Sequence, residues 1–333
     1  METEIWVAII GGSAVILAAG LGLVGVLVSH KRKKKSAEQQ TLYPPSEIHP
    51  DQPGLSHRMG LIHAEHLEYH ESLVHLKQAI DGYDLTSFER AQALVDAGIK
   101  HNELAEYSDA IDCFKQAEAI FMEDPNKNQV QITTVHNNIA VVYDEQGKYD
   151  EALRWHKKAL AIREKVLAKE HPYTATTYNN IAIVYGGQGA HKKALEWFFR
   201  SLAITEKVLG KEHPDTAGTY NNIANVYRNE GNYDEALEWY GKALVAKEKA
   251  WGKEHPDTAG TYNNIATVRH NQGKYDQSLE LYLKAYKIVC KVFDPEHPSS
   301  KMYLSNMKIA YKAAKRKWPF AWWLKRQMKK KLK

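Results

Sequence analysis

The pair His-Pro recurs at His171-Pro172, His213-Pro214, His255-Pro256 and His297-Pro298, each copy 42 residues after the last. Asn-Asn keeps the same step at Asn137-Asn138, Asn179-Asn180, Asn221-Asn222 and Asn263-Asn264. No other feature constrains the fold as strongly. A unit of this length cannot bury its apolar face alone, so units must stack and share a continuous core. Such an array presents a long concave surface to another molecule and seldom encloses a catalytic pocket.

The copy from His213 to Glu254 reads most clearly. Pro214 suits the first turn of a helix, where its missing N–H costs nothing. Tyr220, Ile223, Ala224 and Tyr227 then fall at i, i+3, i+4 and i+7, the apolar stripe of a helix reaching about Glu230. Gly231 stops it. A second helix starts near Tyr233 and carries Ala236, Leu237, Trp239, Tyr240, Ala243 and Leu244. Other copies align position by position: Ile139, Ile181, Ile223 and Ile265; Ala140, Ala182, Ala224 and Ala266; Trp155, Trp197 and Trp239. A divergent first unit is placed by phase, since Tyr107 and Ala110 lie 42 residues before Tyr149 and Ala152. Thr86 and Glu89 have capping-box spacing at its start. After His297 a single helix, with Leu304, Met307 and Tyr311 on its buried face, is expected to close the stack. This gives five units over 87–296 and a capping helix over 297–317.

A small residue in the first helix, an aromatic three later, a glycine turn and then Tyr-x-x-Ala together resemble the tetratricopeptide repeat. The 42-residue length, Asn-Asn-Ile-Ala, Gly-x-Tyr-x-x-Ala and the terminal His-Pro are most similar to the kinesin light chain subtype, over roughly Ser87 to Lys317. The resemblance implies an all-α, right-handed superhelical solenoid with a groove lined by the first helix of each unit. It also matches Asn137, Asn179, Asn221 and Asn263 to positions that contact cargo peptides in light chains. The helix expected at 56–80 is too short for the coiled coil that joins light chains to the motor.

Gly218, Asn221, Asn225 and Arg228 form a stripe separate from the apolar one, and the matching stripe of a later unit gives Gly260, Asn263, Thr267 and His270. An asparagine amide can donate to a peptide carbonyl and accept from its N–H at once. The expected partner-binding residues are therefore Asn137, Asn179, Asn221, Asn225, Arg228, Asn263 and His270. The neighbouring row Asn138, Asn180, Asn222 and Asn264 either shares this role or bonds between helices to fix the stacking.

From Ile5 to Ser29 no residue is charged. As a helix these positions reach about 37 Å, enough for a hydrocarbon core of about 30 Å. An acidic start (Glu2, Glu4) and no small-x-small site argue against a cleaved signal peptide. The expectation is a single transmembrane helix over 5–29 after a short extracytoplasmic end at 1–4. The basic run Lys31–Lys35 places the rest on the cytoplasmic side. Ala14, Ala18 and Gly22, four apart, allow a homodimer through close helix approach. A basic, Pro-rich linker (30–55) follows.

The net charge of +5 is segregated: Lys31–Lys35 and 315–333 hold fourteen basic side chains, and the remainder stands at −9. In the tail at 318–333, Trp318, Phe320, Trp322, Trp323, Leu324, Lys325 and Arg326 read as an interfacial membrane contact. Nucleic-acid binding and a solubilising tail are weaker readings. His63, His66 and His70 lie near one another on the 56–80 helix, but as solvated or packed side chains. Two distant cysteines exclude a disulfide framework. The four Glu-His-Pro or equivalent loops read as turns, and no phosphate loop, nucleophile elbow or metalloprotease helix is present. The expectation is therefore no catalytic residue, cofactor, metal or small-molecule substrate. The chain reads as a membrane-anchored adaptor that binds protein or peptide partners, with an assembly chaperone for unfolded or nascent clients as the alternative.

Overall fold

The repeating part of the chain is wholly helical. The computed structural model describes Ile5–Ile10, Ser13–Ala18, the single positions Leu73, Leu76 and Ile80, and residues 86–329 apart from 168, 294 and 296. Five helix pairs succeed one another: α1 (Ser87–Glu103) with α2 (Tyr107–Phe121), α3 (Gln129–Glu145) with α4 (Tyr149–Val166), α5 (Pro172–Gly187) with α6 (His191–Val208), α7 (Pro214–Asn229) with α8 (Tyr233–Trp251), and α9 (Pro256–Asn271) with α10 (Tyr275–Val292). A closing helix α11 (Pro298–Ala313) and a short α12 (Phe320–Met328) follow. The backbone contacts divide the chain into two compact units, Met1–Gln52 and Pro53–Lys333.

Packing follows the 42-residue step. Ala140, Ala182, Ala224 and Ala266 are fully buried and let paired helices approach closely. The turn inside each unit needs a left-handed residue, supplied by Gly147, Gly189, Gly231 and Gly273 at φ between 71° and 82°. In the first unit Ala105 holds that place at φ 59°. Gly98 occupies the position of the four alanines, and a Cβ there would lie 2.6 Å from the Phe114 ring.

The His-Pro pairs are helix starts. Nδ1 of His171, His213, His255 and His297 accepts the backbone N–H of Tyr173, Asp215, Asp257 and Ser299 at 3.1–3.2 Å, and the proline follows in the first turn. The preceding glutamates Glu170, Glu212 and Glu254 pair with Lys207, Lys249 and Lys291. Each triplet thus combines an ion pair, a cap and a helix-start proline.

At the first end of the array, Leu73, Leu76 and Ile80 are helical and pack with Ala97, Leu104 and Cys113. The rest of the 56–80 segment, with His63, His66 and His70, lies outside the described residues. At the other end, Phe320, Trp323 and Leu324 of α12 pack on the cluster built from Tyr303, Met307 and Tyr311.

The amino-terminal helix needs correction. Ile5–Ile10 (β1) and Ser13–Ala18 (β2) pair as antiparallel strands, Ile5 opposite Ala18 and Ile10 opposite Ser13. Residues 19–29 lie outside the described residues. Ile5, Val7, Ile9, Ile10, Val15 and Ile16 are β-branched and favour extended backbone. The four-residue helical spacing of Ala14 and Ala18 is therefore not formed, and Gly22 is outside the described residues. Among the described residues no helix is long and apolar enough to cross a membrane.

Candidate functional site: the inner face of the repeats

First helices of successive units touch one another: α1 with α3, α3 with α5, α5 with α7, and α9 with α11. Each first helix thus meets the next along one side of the stack, the side that the resemblance to tetratricopeptide repeats gives to the groove. The Asn rows sit on these helices. Nδ2 of Asn222 donates to Oδ1 of Asn179 at 3.2 Å, Asn264 to Asn221 at 3.0 Å, and Asn306 to Asn263 at 3.0 Å. Each bond joins the second row of one unit to the first row of the unit before. Asn222 and Asn264 of the second row therefore bond between units, whereas Asn138 Nδ2 and Asn180 Oδ1 are buried without such a partner. Asn306, 42 residues after Asn264, extends the pattern into the closing helix and follows from the same step.

The first row behaves unevenly. Asn137 is fully buried, its Oδ1 bonded to Nδ1 of His156 at 2.7 Å and its Nδ2 enclosed without a partner, so it is removed from any surface a ligand meets. Asn179, Asn221 and Asn263 spend Oδ1 on the bridges. Asn179 and Asn263 are themselves buried, at 5% and 8% exposure, and Asn221 is half-buried; their Nδ2 groups bond to no described residue. The acceptor side of each amide is thus spent within the stack, where the sequence suggested donor and acceptor together.

Asn225 is half-buried, and its Oδ1 accepts Tyr240 Oη at 2.5 Å. Arg228 and His270 are half-buried too; Arg228 bonds Asn229 Oδ1 at 3.2 Å and His270 rests on Tyr275 with ring centroids 5.2 Å apart. From the second unit on, one position of the step, Asp144, Gly186, Arg228 and His270, followed by Lys312 in the closing helix, runs from acidic to basic; the first unit has Asn102 there. Burial, with Glu145 alongside, pushes the Asp144 carboxyl up to about 6.

Buried polar groups near α3–α5 escaped the sequence reading. Arg163 is fully enclosed and donates to Thr133 Oγ1, Tyr173 O and Thr177 Oγ1 at 2.8–3.1 Å. Burial, aided by Arg163, holds the His156 imidazole down at about 3. A second interlock repeats on the outer side: Tyr178 and Tyr220 donate to Glu164 and Glu206 at 2.6 and 2.5 Å, and Tyr262 donates to Glu248. Lys158, Arg200 and Lys242 lie over Trp155, Trp197 and Trp239 at 3.7–4.7 Å.

Among the described residues one group has metal-ligand geometry, His101, Glu106 and Asp109, with ligand atoms within 4.8 Å. His101 Nδ1 already bonds Glu106 Oε2 at 2.6 Å, and the third member is an exposed surface acid.

The tail is only partly as expected. Phe320, Trp323 and Leu324, expected to contact a membrane, instead cover the end of the array, because α11 presents Tyr311 and Met307 as apolar surface that needs a lid. Tyr311 Oη donates to Trp318 O at 2.6 Å and fixes the entry of α12. Trp318, Trp322, Lys325 and Arg326 remain exposed.

Comparison with solved structures agrees with this geometry. BtubC (BKLC) from P. vanneervenii has a TM-score of 0.55 at 18% identity, with 69% of this chain covering 92% of that one. A Podosopora anserina protein with nearly identical TPR-like repeats of kinesin light chain type gives 0.50 at 25% identity, covering 62% of this chain and 95% of that one. The apo form of RapI gives 0.50 at 17% identity, covering 78% and 99%. No curated protein sequence matches. The tetratricopeptide repeat family profile matches residues 131–207, 191–249, 215–272 and 257–318. Together these matches span more than half of the chain, which therefore belongs to the tetratricopeptide repeat family.

Proposed function

We propose that the array is a scaffold that grips an extended segment of a partner protein on its inner face. Tetratricopeptide repeats are generally protein-interaction scaffolds rather than catalysts, which is the coarse basis. The row of unspent amide donors at Asn179, Asn221 and Asn263 carries the finer reading. Backbone carbonyls of an extended peptide accept such donors with little demand on side-chain sequence. The change from Asp144 to Arg228 and Lys312 favours one direction of binding, with acidic partner residues toward α11.

A Cβ at Gly218 would meet nothing within 4 Å, so this position is chosen for a photo-crosslinking side chain, with circular dichroism checking that the fold is kept. The same side chain at Val245, 65% exposed on α8, reports the outer surface. Groove binding predicts that a few proteins are captured in cells from position 218 and not from 245, and that Arg228→Glu weakens the capture. Capture from 245 alone would sink the reading. Many unrelated unfolded clients at 218 would support a chaperone instead.

The uncharged stretch Ile5–Ser29 beside the basic run Lys31–Lys35 also supports attachment of the scaffold to a membrane surface through its amino terminus. Deleting Ile5–Ser29 should shift the protein out of the sedimented membrane fraction; an unchanged distribution would refute this attachment.

A further inference from the structure

We propose that the exposed face of α12 docks on the anionic surface of a phospholipid bilayer. The short helix is split between two tasks. Phe320, Trp323 and Leu324 seal the array, and this holds the helix in a fixed orientation. Trp322 on the opposite face, at 45% exposure, and Trp318 just before the helix, at 57%, present two indoles. They stack with centroids 4.8 Å apart and an interplanar angle of 28°. Lys315, Lys317, Lys325, Arg326 and Lys329 are exposed around them, and no acid occurs from Lys315 to Lys333. Arg316 is bound by Asp276 at 2.7 Å and lies outside this set.

Large exposed aromatics beside charge of one sign fit the headgroup layer. Indoles partition there, and Lys and Arg meet lipid phosphate and carboxylate. Single-stranded nucleic acid also favours aromatics and cations, but it needs open ring faces for its bases. Here Trp318 covers one side of Trp322, and Arg326 lies 5.6 Å from the same ring. The helix is already formed and anchored, so binding requires no coupled folding. This proposal stands apart from the groove reading.

The test uses residues 53–333, which form a compact unit by themselves and avoid the apolar amino-terminal run. Sedimentation with phosphatidylcholine vesicles is compared with vesicles holding about 30% phosphatidylserine. The expected result is binding to the anionic vesicles at least about tenfold tighter than to neutral ones, with unchanged far-ultraviolet circular dichroism. Trp318→Ala with Trp322→Ala, and separately Lys325→Glu with Arg326→Glu, should each weaken it by about tenfold or more. Val245→Ala should change nothing. Equal binding to both vesicle types, no sedimentation of the unaltered protein, or full binding by the double Trp variant overturns the proposal. So does binding of single-stranded RNA through the two tryptophans in the absence of vesicle binding.

Discussion

Acid should loosen the array at one definable place. His156 is enclosed and neutral, bonded to Asn137 and next to the buried Arg163 guanidinium. Its imidazole sits at about 3 in the fold against 6.5 for the free group. A folded-state value below the unfolded one means that the stabilisation is complete above 6.5. It is then lost progressively toward 3, as the unfolded chain takes a proton that the fold refuses. Every tenfold difference in proton affinity between the two states is worth about 1.4 kcal/mol, so the full loss is about 5 kcal/mol and the part lost by pH 5 is about 2 kcal/mol. His156→Phe removes this linkage, and Phe198 already fills the equivalent place 42 residues on. The variant orphans Asn137 Oδ1 and is less stable at neutral pH, but that cost does not change with pH. Urea midpoints at pH 7.5 and 5.0 measure the slope, and hydrogen exchange across α3–α5 localises it if units unfold separately. Every other ionisable group is the same in both proteins, so the difference between their two slopes isolates His156. If the variant loses as much stability between the two pH values as the parent, His156 does not carry the linkage.

Other perturbations are sharper but smaller. Gly98→Ala drives a methyl group into the Phe114 ring and should cost about 1–3 kcal/mol in urea unfolding, although every other unit carries alanine there. Ala105→Gly relieves a left-handed alanine and should raise the stability of the first unit by up to about 1 kcal/mol; lower thermal stability would contradict this. Asn264→Ala strips the donor from Asn221 Oδ1 and should cost about 1 kcal/mol, with faster amide exchange where α7 meets α9.

The helix pairs were legible because the same alanines, isoleucines and aromatics return at one step, and the step fixes both the elements and their buried faces. The Asn rows were placed by the same step, but their use was not. Asn222 meets Asn179 across 43 residues, a pairing set by how one unit leans on the next. The histidine caps were hidden because histidine is not among the usual capping residues, so the repeat marked a turn without revealing its hydrogen bond. Periodicity also put Phe320, Trp323 and Leu324 on one helical face without saying what that face meets; an adjacent Tyr311 outcompetes lipid for it. At the amino terminus, absence of charge was read as a helix, whereas β-branched residues around Gly11-Gly12 pair as strands.

The covered ends of the array bear on how long it can grow. Units with matching front and back surfaces can in principle add without limit, since a head-to-tail contact that does not close into a ring makes a fibre. Leu73, Leu76 and Ile80 block one end with segments that do not repeat, and Phe320, Trp323 and Leu324 block the other. The lid over Tyr311 and Met307 is therefore also a terminator of polymerisation. A chain shortened before Trp318 would leave that surface open to the same bared surface of another copy, a contact that closes at two chains.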